Sequence, residues 1–250
     1  MKITADYHTH TTFSHGKGSV EDNVRAAIER GLTAIGITDH GPGHVFFGLR
    51  PGKLPLLREQ VDTLNEKYAG QIRVLMGVEA NITGLNGTID IPFGLIGNFD
   101  YLLAGYHRTA RLTDIKALWH FFAANFSRGE KRVQKSTEAF VCAMERYPIA
   151  CITHPGSMIG LDMDMLGEAA ARTGTAIEIS ARHGLLPAGV LRRLKERGAP
   201  FMINSDAHRP GEVGDFSRQI ELAAGAGLTE ADVLNAEGGG RGMRMARPGE

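Results

Sequence analysis

The stretch Ala5-Asp6-Tyr7-His8-Thr9-His10-Thr11-Thr12-Phe13-Ser14-His15 decides how the rest of the chain is read. Its first half is β-prone, and side chains alternate faces along a strand, so His8 and His10 point the same way if the segment is extended. Two imidazoles on one side of a strand end can close on one divalent ion. His15 lies in the polar loop beyond and joins them only if that loop curls back.

Working outward, short apolar runs alternate with helical patterns. Strands are predicted at Ile3–His8, Thr33–Thr38, Arg73–Glu79, Asp100–Gly105, Ile149–Thr153, Ala176–Ser180 and Phe201–Ser205. Helices are predicted at Val20–Gly31, capped by Ser19, at Leu54–Tyr68, and as two segments within Leu112–Tyr147 broken near Ser127-Arg128-Gly129. Further helices follow at Leu161–Thr173, Ala188–Arg197, about Asp215–Ala224 and Thr229–Ala236, while Thr88–Ile91 reads as a loop insertion. Strict alternation of strand and helix indicates a parallel sheet with helices outside, and a closed α/β barrel is favoured. An open doubly wound sheet is the alternative, but no Gly-x-Gly-x-x-Gly follows the first strand. With no repeat and no linker, residues 1–250 read as a single domain whose Gly- and Arg-rich tail, about 238–250, is frayed.

Position singles out the polar residues. His8 and His10 close the first strand, Asp39-His40 follows the second, Glu79 ends the third, and His107 follows the fourth. His154 follows the fifth, and Asp206 with His208 follows the seventh. In a parallel barrel all of these lie on the face formed by the strands' carboxyl ends, which is where such folds carry their active sites. Clustered imidazoles and carboxylates without an ion would be a costly desolvated group. His8, His10, His15, His40, Glu79, His107, His154, Asp206 and His208 are therefore candidate ligands, enough for two or three ions. Imidazole and carboxylate without thiolate suit Zn, Mn or Fe. The two cysteines, Cys142 and Cys151, are too few for a thiolate zinc site or a disulfide framework, and Cys151 reads as a core residue.

The His8-x-His10 opening, Thr38-Asp39-His40-Gly41, Gly77-Val78-Glu79-Ala80-Asn81, Gly105-Tyr106-His107, Thr153-His154-Pro155-Gly156 and Ser205-Asp206-Ala207-His208 together resemble the PHP (polymerase and histidinol phosphatase) family, in particular its small stand-alone bacterial phosphatases. The likeness runs from about Thr4 to Asn235. It implies a distorted, TIM-like (βα)7 barrel, a trinuclear metal centre and phosphoester hydrolysis. By motif, His8, His10, Glu79 and Asp206 would hold one ion and His15, His40 and His208 a second. Glu79 would bridge to a third ion held by His107 and His154. The sequence departs from the family at its end, where Gly238-Gly239-Gly240-Arg241 stands in place of a final amphipathic helix.

The expected chemistry is attack on phosphorus by a water or hydroxide bridging two ions, its pKa lowered to about 7. Asp206, Glu79 and His208 are the candidate catalytic groups, the two carboxylates as bases as well as ligands. Arg108, Arg182, His183 and Arg209 are candidates for holding the phosphate. Asp39 is a candidate hydrogen-bond partner for an imidazole. His44 reads as a loop residue, with a place on the rim of the site as the alternative, and His120, in Leu118-Trp119-His120-Phe121-Phe122, reads as a packing residue. The favoured substrate is a small-molecule phosphomonoester. A phosphodiesterase or nuclease is disfavoured because 28 basic and 28 acidic residues cancel, leaving no field to attract nucleic acid or an anionic membrane. A non-catalytic metal-binding domain is the third reading. No apolar stretch is long enough to span a bilayer and no secretory signal is apparent, so a cytoplasmic protein is expected.

Overall fold

The computed structural model describes residues 1–180, 182–239 and 242–246. Seven parallel strands, β1 (Ala5–Thr9), β2 (Ala34–Ile37), β3 (Arg73–Asn81), β4 (Tyr101–Gly105), β5 (Ile149–Ile152), β6 (Ala176–Ile179) and β7 (Phe201–Ile203), pair in chain order. The helices α1 (Val20–Glu29), α2 (Leu54–Lys67), α3 (Phe93–Ile96), α4 (Ile115–Ala124), α5 (Glu130–Arg146), α6 (Met163–Thr173) and α7 (Ala188–Glu196) lie in the connections, and α8 (Ser217–Gly225) follows β7. The sheet curls into a nearly closed barrel, as expected. Local chemistry sets the helix starts: Ser19 and Asp22 form a capping box on α1, Asp114 caps α4 and Asp162 caps α6. The predicted break between two helices lies at residues 125–129, between α4 and α5.

The expected helix at Thr229–Ala236 is not formed. A single 3-10 turn, Glu230–Asp232, is followed by a turn at Leu234 and Asn235 set between isolated bridges at Val233 and Ala236. Val233 bridges Phe201, Ala236 bridges Ile3, and the Asn235 side chain bonds the backbone of both Ala5 and Ile203. The segment thus fills the gap between β7 and β1, whose own bridging is confined to Thr9 and Ala207 at the upper end. Backbone groups at that gap need partners, and this need overrides local helical preference.

Alternation along the strands divides the interior by height. Leu75, Tyr101, Leu103, Cys151, Ala176 and Met202 form an apolar layer inside the barrel, while a larger cluster packs between strands and helices. Further up the same strands come Glu79 and Asn81, Glu178, and, after β7, Asn204, all fully buried. Of the tail expected to be frayed, residues 240, 241 and 247–250 lie outside the described residues. Within 242–246, Met243 and Met245 pack on the apolar layer, and Arg244 donates to the carbonyls of Met144 and Ile149 and to Thr175 Oγ1.

Tyr101 fills the barrel's centre and donates its hydroxyl to the Tyr7 carbonyl at 2.8 Å. A Cβ at Gly36 would lie 1.7 Å from that hydroxyl. Gly36→Ala is therefore expected to cost roughly 3 kcal/mol through overpacking, read as a lowered denaturation midpoint.

Candidate metal centre

The upper layer of the barrel collects the histidines. His8 and His10 project from the end of β1 on one side, with Nε2 atoms 3.2 Å apart. His15 joins them because its loop does curl back: Ser14 and Gly16 both donate to the Thr11 carbonyl. Asp39 fixes this curl, accepting from Thr11 N and Oγ1 and from Ser14 N and Oγ. The expectation that Asp39 orients an imidazole is thus corrected. Its acceptor capacity is used by the loop that carries His15.

Glu79, fully buried on β3, lies at the middle. His8 Nε2, His10 Nε2, His40 Nδ1, His107 Nε2 and His154 Nε2 are 3.4, 3.6, 2.8, 3.6 and 3.0 Å from its carboxylate, and Thr153 donates to it at 2.9 Å. Asp206 is 3.6 Å from His8, 3.2 Å from His10, 3.3 Å from His183 and 3.4 Å from His208. All nine sequence-predicted ligands therefore meet on one rim. Among the described residues, His154 and Asp206 are the non-glycine residues with positive φ, 29° and 55°. Such conformations cost on the order of 1–3 kcal/mol each and concentrate at functional sites.

Outer partners set the tautomers. His8 donates Nδ1–H to Glu178 Oε1 at 2.7 Å, His107 to Asn81 Oδ1 at 2.8 Å, and His208 to the Asp206 carbonyl at 2.9 Å. In the neutral ring each Nε2 then offers its lone pair to the cluster. Asn81 is held in turn by Asp90, which accepts from both its backbone and its side-chain amide. Burial, only partly offset by those donors, pushes Asp90 up to about 6. Asp90 belongs to the segment read from sequence only as a loop insertion.

Glu178 is the principal residue that sequence reasoning missed. It bonds His8 Nδ1, His154 N and Asn204 Nδ2. Its signal was a charged residue inside the apolar run Ala176-Ile177-Glu178-Ile179, on the one strand with no assigned ligand.

Burial opposes charge throughout, and the neighbours decide the outcome. Burial disfavours the Glu79 carboxylate, but His107, His8, His40 and His154 outweigh it and hold its pKa well below the ordinary value. His8, also opposed by burial, is raised well above the ordinary value by Glu178, Glu79 and Asp206. His15 is pushed down to about 3 by burial and by His208 and His40, and His44 to about 4 by burial and His40. These last two are neutral at neutral pH, the state in which an imidazole can ligate.

The residues fit metal ions. Buried His10 Nδ1, His15 Nδ1, His40 Nδ1, Glu79 Oε2 and both Asp206 carboxylate oxygens have no hydrogen-bond partner. Orphans at this density would each cost about 1–3 kcal/mol unless something else satisfies them. Triplets of donors close enough to share an ion are His8/His10/Glu79, His10/His40/His208, His40/Glu79/His107 and His154/His183/Asp206.

A cavity of about 190 Å³ opens over the cluster, lined among others by His15, His44, Phe47, Thr109, Arg182 and His183. Of the basic residues singled out in the sequence, Arg182 and His183 line this cavity. Arg108 and Arg209 are exposed and do not line the cavity. His44, read as a loop residue, stacks on His40 at 4.7 Å and bonds Thr109 Oγ1. His120 bonds Ser136 of α5, a packing role as expected. Among the described residues no helix is long and apolar enough to cross a membrane.

Comparison with known proteins agrees with this geometry. Residues 6–137 match the PHP domain. A probable phosphatase of Thermoanaerobacter sp. strain X514 is 30% identical, the alignment covering 96% of this chain and 93% of that one. The DNA polymerase/3'-5' exonuclease PolX of Bacillus subtilis is also 30% identical over 94% of this chain, which corresponds to 39% of that protein. Among solved structures, histidinol phosphate phosphatase from Lactococcus lactis, complexed with zinc, L-histidinol and phosphate, superposes with a TM-score of 0.63 at 17% identity. That alignment covers 92% of this chain and 95% of the other and shows a shared fold. The chain belongs to the PHP family of metal-dependent phosphoesterases.

Proposed function

We propose that the protein hydrolyses a small-molecule phosphomonoester at a centre of three divalent ions. The observation that carries this reading is the clustering of seven histidines around Glu79 and Asp206, with Glu79 Oε2 and both Asp206 carboxylate oxygens left without a hydrogen-bond partner. One ion is assigned to His8, His10, Glu79 and Asp206, a second to His15, His40 and His208, and a third to Glu79, His107 and His154. Zinc suits this donor set, and manganese or iron would also be accepted. Bound there, divalent ions lower the pKa of a coordinated water and neutralise charge on the phosphoryl oxygens. The chain's own groups do the rest. Arg182, at the cavity's edge, holds the phosphoryl oxygens. Asp206 Oδ2 takes the proton of the attacking water, and His183 Nε2, 3.3 Å away, carries it toward the leaving oxygen. Water oxygen bonds to phosphorus, the ester P–O bond breaks, and inorganic phosphate and an alcohol are released. His208 keeps its Nε2 in play through its bond to the Asp206 carbonyl.

A phosphomonoester is favoured over a polynucleotide because the cavity is small and the chain carries no net charge. The test combines metal analysis with rates on phosphomonoesters, phosphodiesters and short oligonucleotides. Dialysis against a chelator is expected to abolish monoester turnover, with Zn or Mn restoring it. Equal turnover of oligonucleotides would overturn the substrate assignment, and full activity in protein freed of metal would overturn the whole reading.

A further inference from the structure

Helix α4 is apolar on two opposite faces. Ala117, Phe121 and Ala124 are buried against the body of the protein, Phe121 stacking on Tyr106 at 5.0 Å. Ile115, Leu118, Trp119 and Phe122 lie on the other side at spacings of three and four residues, a stripe about 100° wide, and all four are exposed. Phe126, just beyond the helix, extends the stripe; its ring is 5.3 Å from that of Phe122 and it is 79% exposed, with Trp119 at 67%. A helix that is apolar all round normally belongs in an interior. Among the described residues only half of it is covered.

We infer that this stripe is a self-association surface, and that its occupant is α4 of a second copy of this chain, packed across a two-fold axis. Area supports a second copy. Aromatic side chains present roughly 150–250 Å² each, so the exposed stripe amounts to on the order of 600 Å². Two such faces together reach the roughly 1,200 Å² at which specific protein interfaces begin. Apolar patches of this size are unusual on monomers. A two-fold pairing brings the same stripe onto itself, as an isologous contact requires, and lets the two helix dipoles run antiparallel. A seam with spacings of three and four suits another helix as its counterpart.

A lipid surface fits less well. Helices that lie in a bilayer interface oppose their apolar face with a strongly charged one, and the opposite face of α4 is Ala117, Phe121 and Ala124 in contact with protein. The neutral chain also supplies no long-range attraction to an anionic surface.

Sedimentation of the full, metal-loaded chain at about 10 µM is expected to give the mass of two copies. Trp119→Glu and Phe122→Glu, each placing a charge in the seam, should weaken self-association at least 100-fold and give one-copy mass at that concentration. Leu56→Glu, at an exposed leucine on α2, should leave the two-copy mass intact. Far-UV circular dichroism confirms that each variant is folded, and Trp119→Ala serves as the milder probe should either charged variant unfold. One-copy mass for the unaltered chain at ten times that concentration would overturn the inference. So would a larger species that the α4 substitutions leave unchanged, or a monomer that co-sediments with anionic vesicles through the same residues.

Discussion

Glu79→Gln is expected to lower phosphomonoester turnover by about 10³-fold or more and to reduce the protein's metal content. The substitution keeps shape and volume, so packing on β3 is not disturbed, and it removes one negative charge and one acceptor. Five imidazole nitrogens lie within 3.6 Å of this carboxylate, more than surround any other group in the site. Its Oε2 has no hydrogen-bond donor at all, although His40 Nδ1 is 2.8 Å away. His40 Nδ1 likewise has no hydrogen-bond partner, so each of the two atoms is free to ligate an ion. An amide there would neither bridge ions nor balance their charge. Elemental analysis and kcat, measured on the same preparation, check the prediction. Metal content and turnover both staying within tenfold of the unaltered protein would remove Glu79 from the centre.

The ligands were legible because of where a βα barrel puts them. A polar residue directly after an apolar run marks the carboxyl end of a strand, and seven such runs in order place those ends on one face. His15 needed more, since its loop had to curl, and the group that makes it curl is Asp39, the residue that local sequence assigned to an imidazole. The Asp90–Asn81–His107 chain was out of reach for a related reason. It joins residues across a loop whose return path no periodicity reveals. The segment after Glu230 was misread because its conformation is dictated by the open edge between β7 and β1 rather than by its own composition. Among the basic residues near strand ends, sequence could not separate Arg182, which lines the cavity, from Arg108 and Arg209, which do not. That distinction depends on loop geometry rather than on spacing.

Glu178→Ala is the second large effect expected, and it concerns a residue that touches no proposed ion. The carboxylate is almost wholly buried and serves three donors at once: His8 Nδ1 at 2.7 Å, His154 N at 2.8 Å and Asn204 Nδ2 at 3.0 Å. Two of these belong to residues assigned above to different proposed ions, so one side chain aligns β1, β5 and β7 across the barrel. Removing it leaves all three donors buried and unsatisfied, an expected cost of roughly 3–5 kcal/mol in stability. It also frees His8 to turn or to change tautomer, for which losses of about 10–100-fold in metal affinity or activity are typical. Glu178→Gln separates the two consequences. Its oxygen can keep accepting from His8 or from the His154 backbone, while its amide opposes the remaining donor, so stability should recover further than metal affinity does. Denaturant midpoints and metal-titration curves on both variants provide the readout. If Glu178→Ala bound metal as tightly as the unaltered chain, His8 would not depend on this carboxylate for its orientation, and the assignment of its tautomer would fall with it.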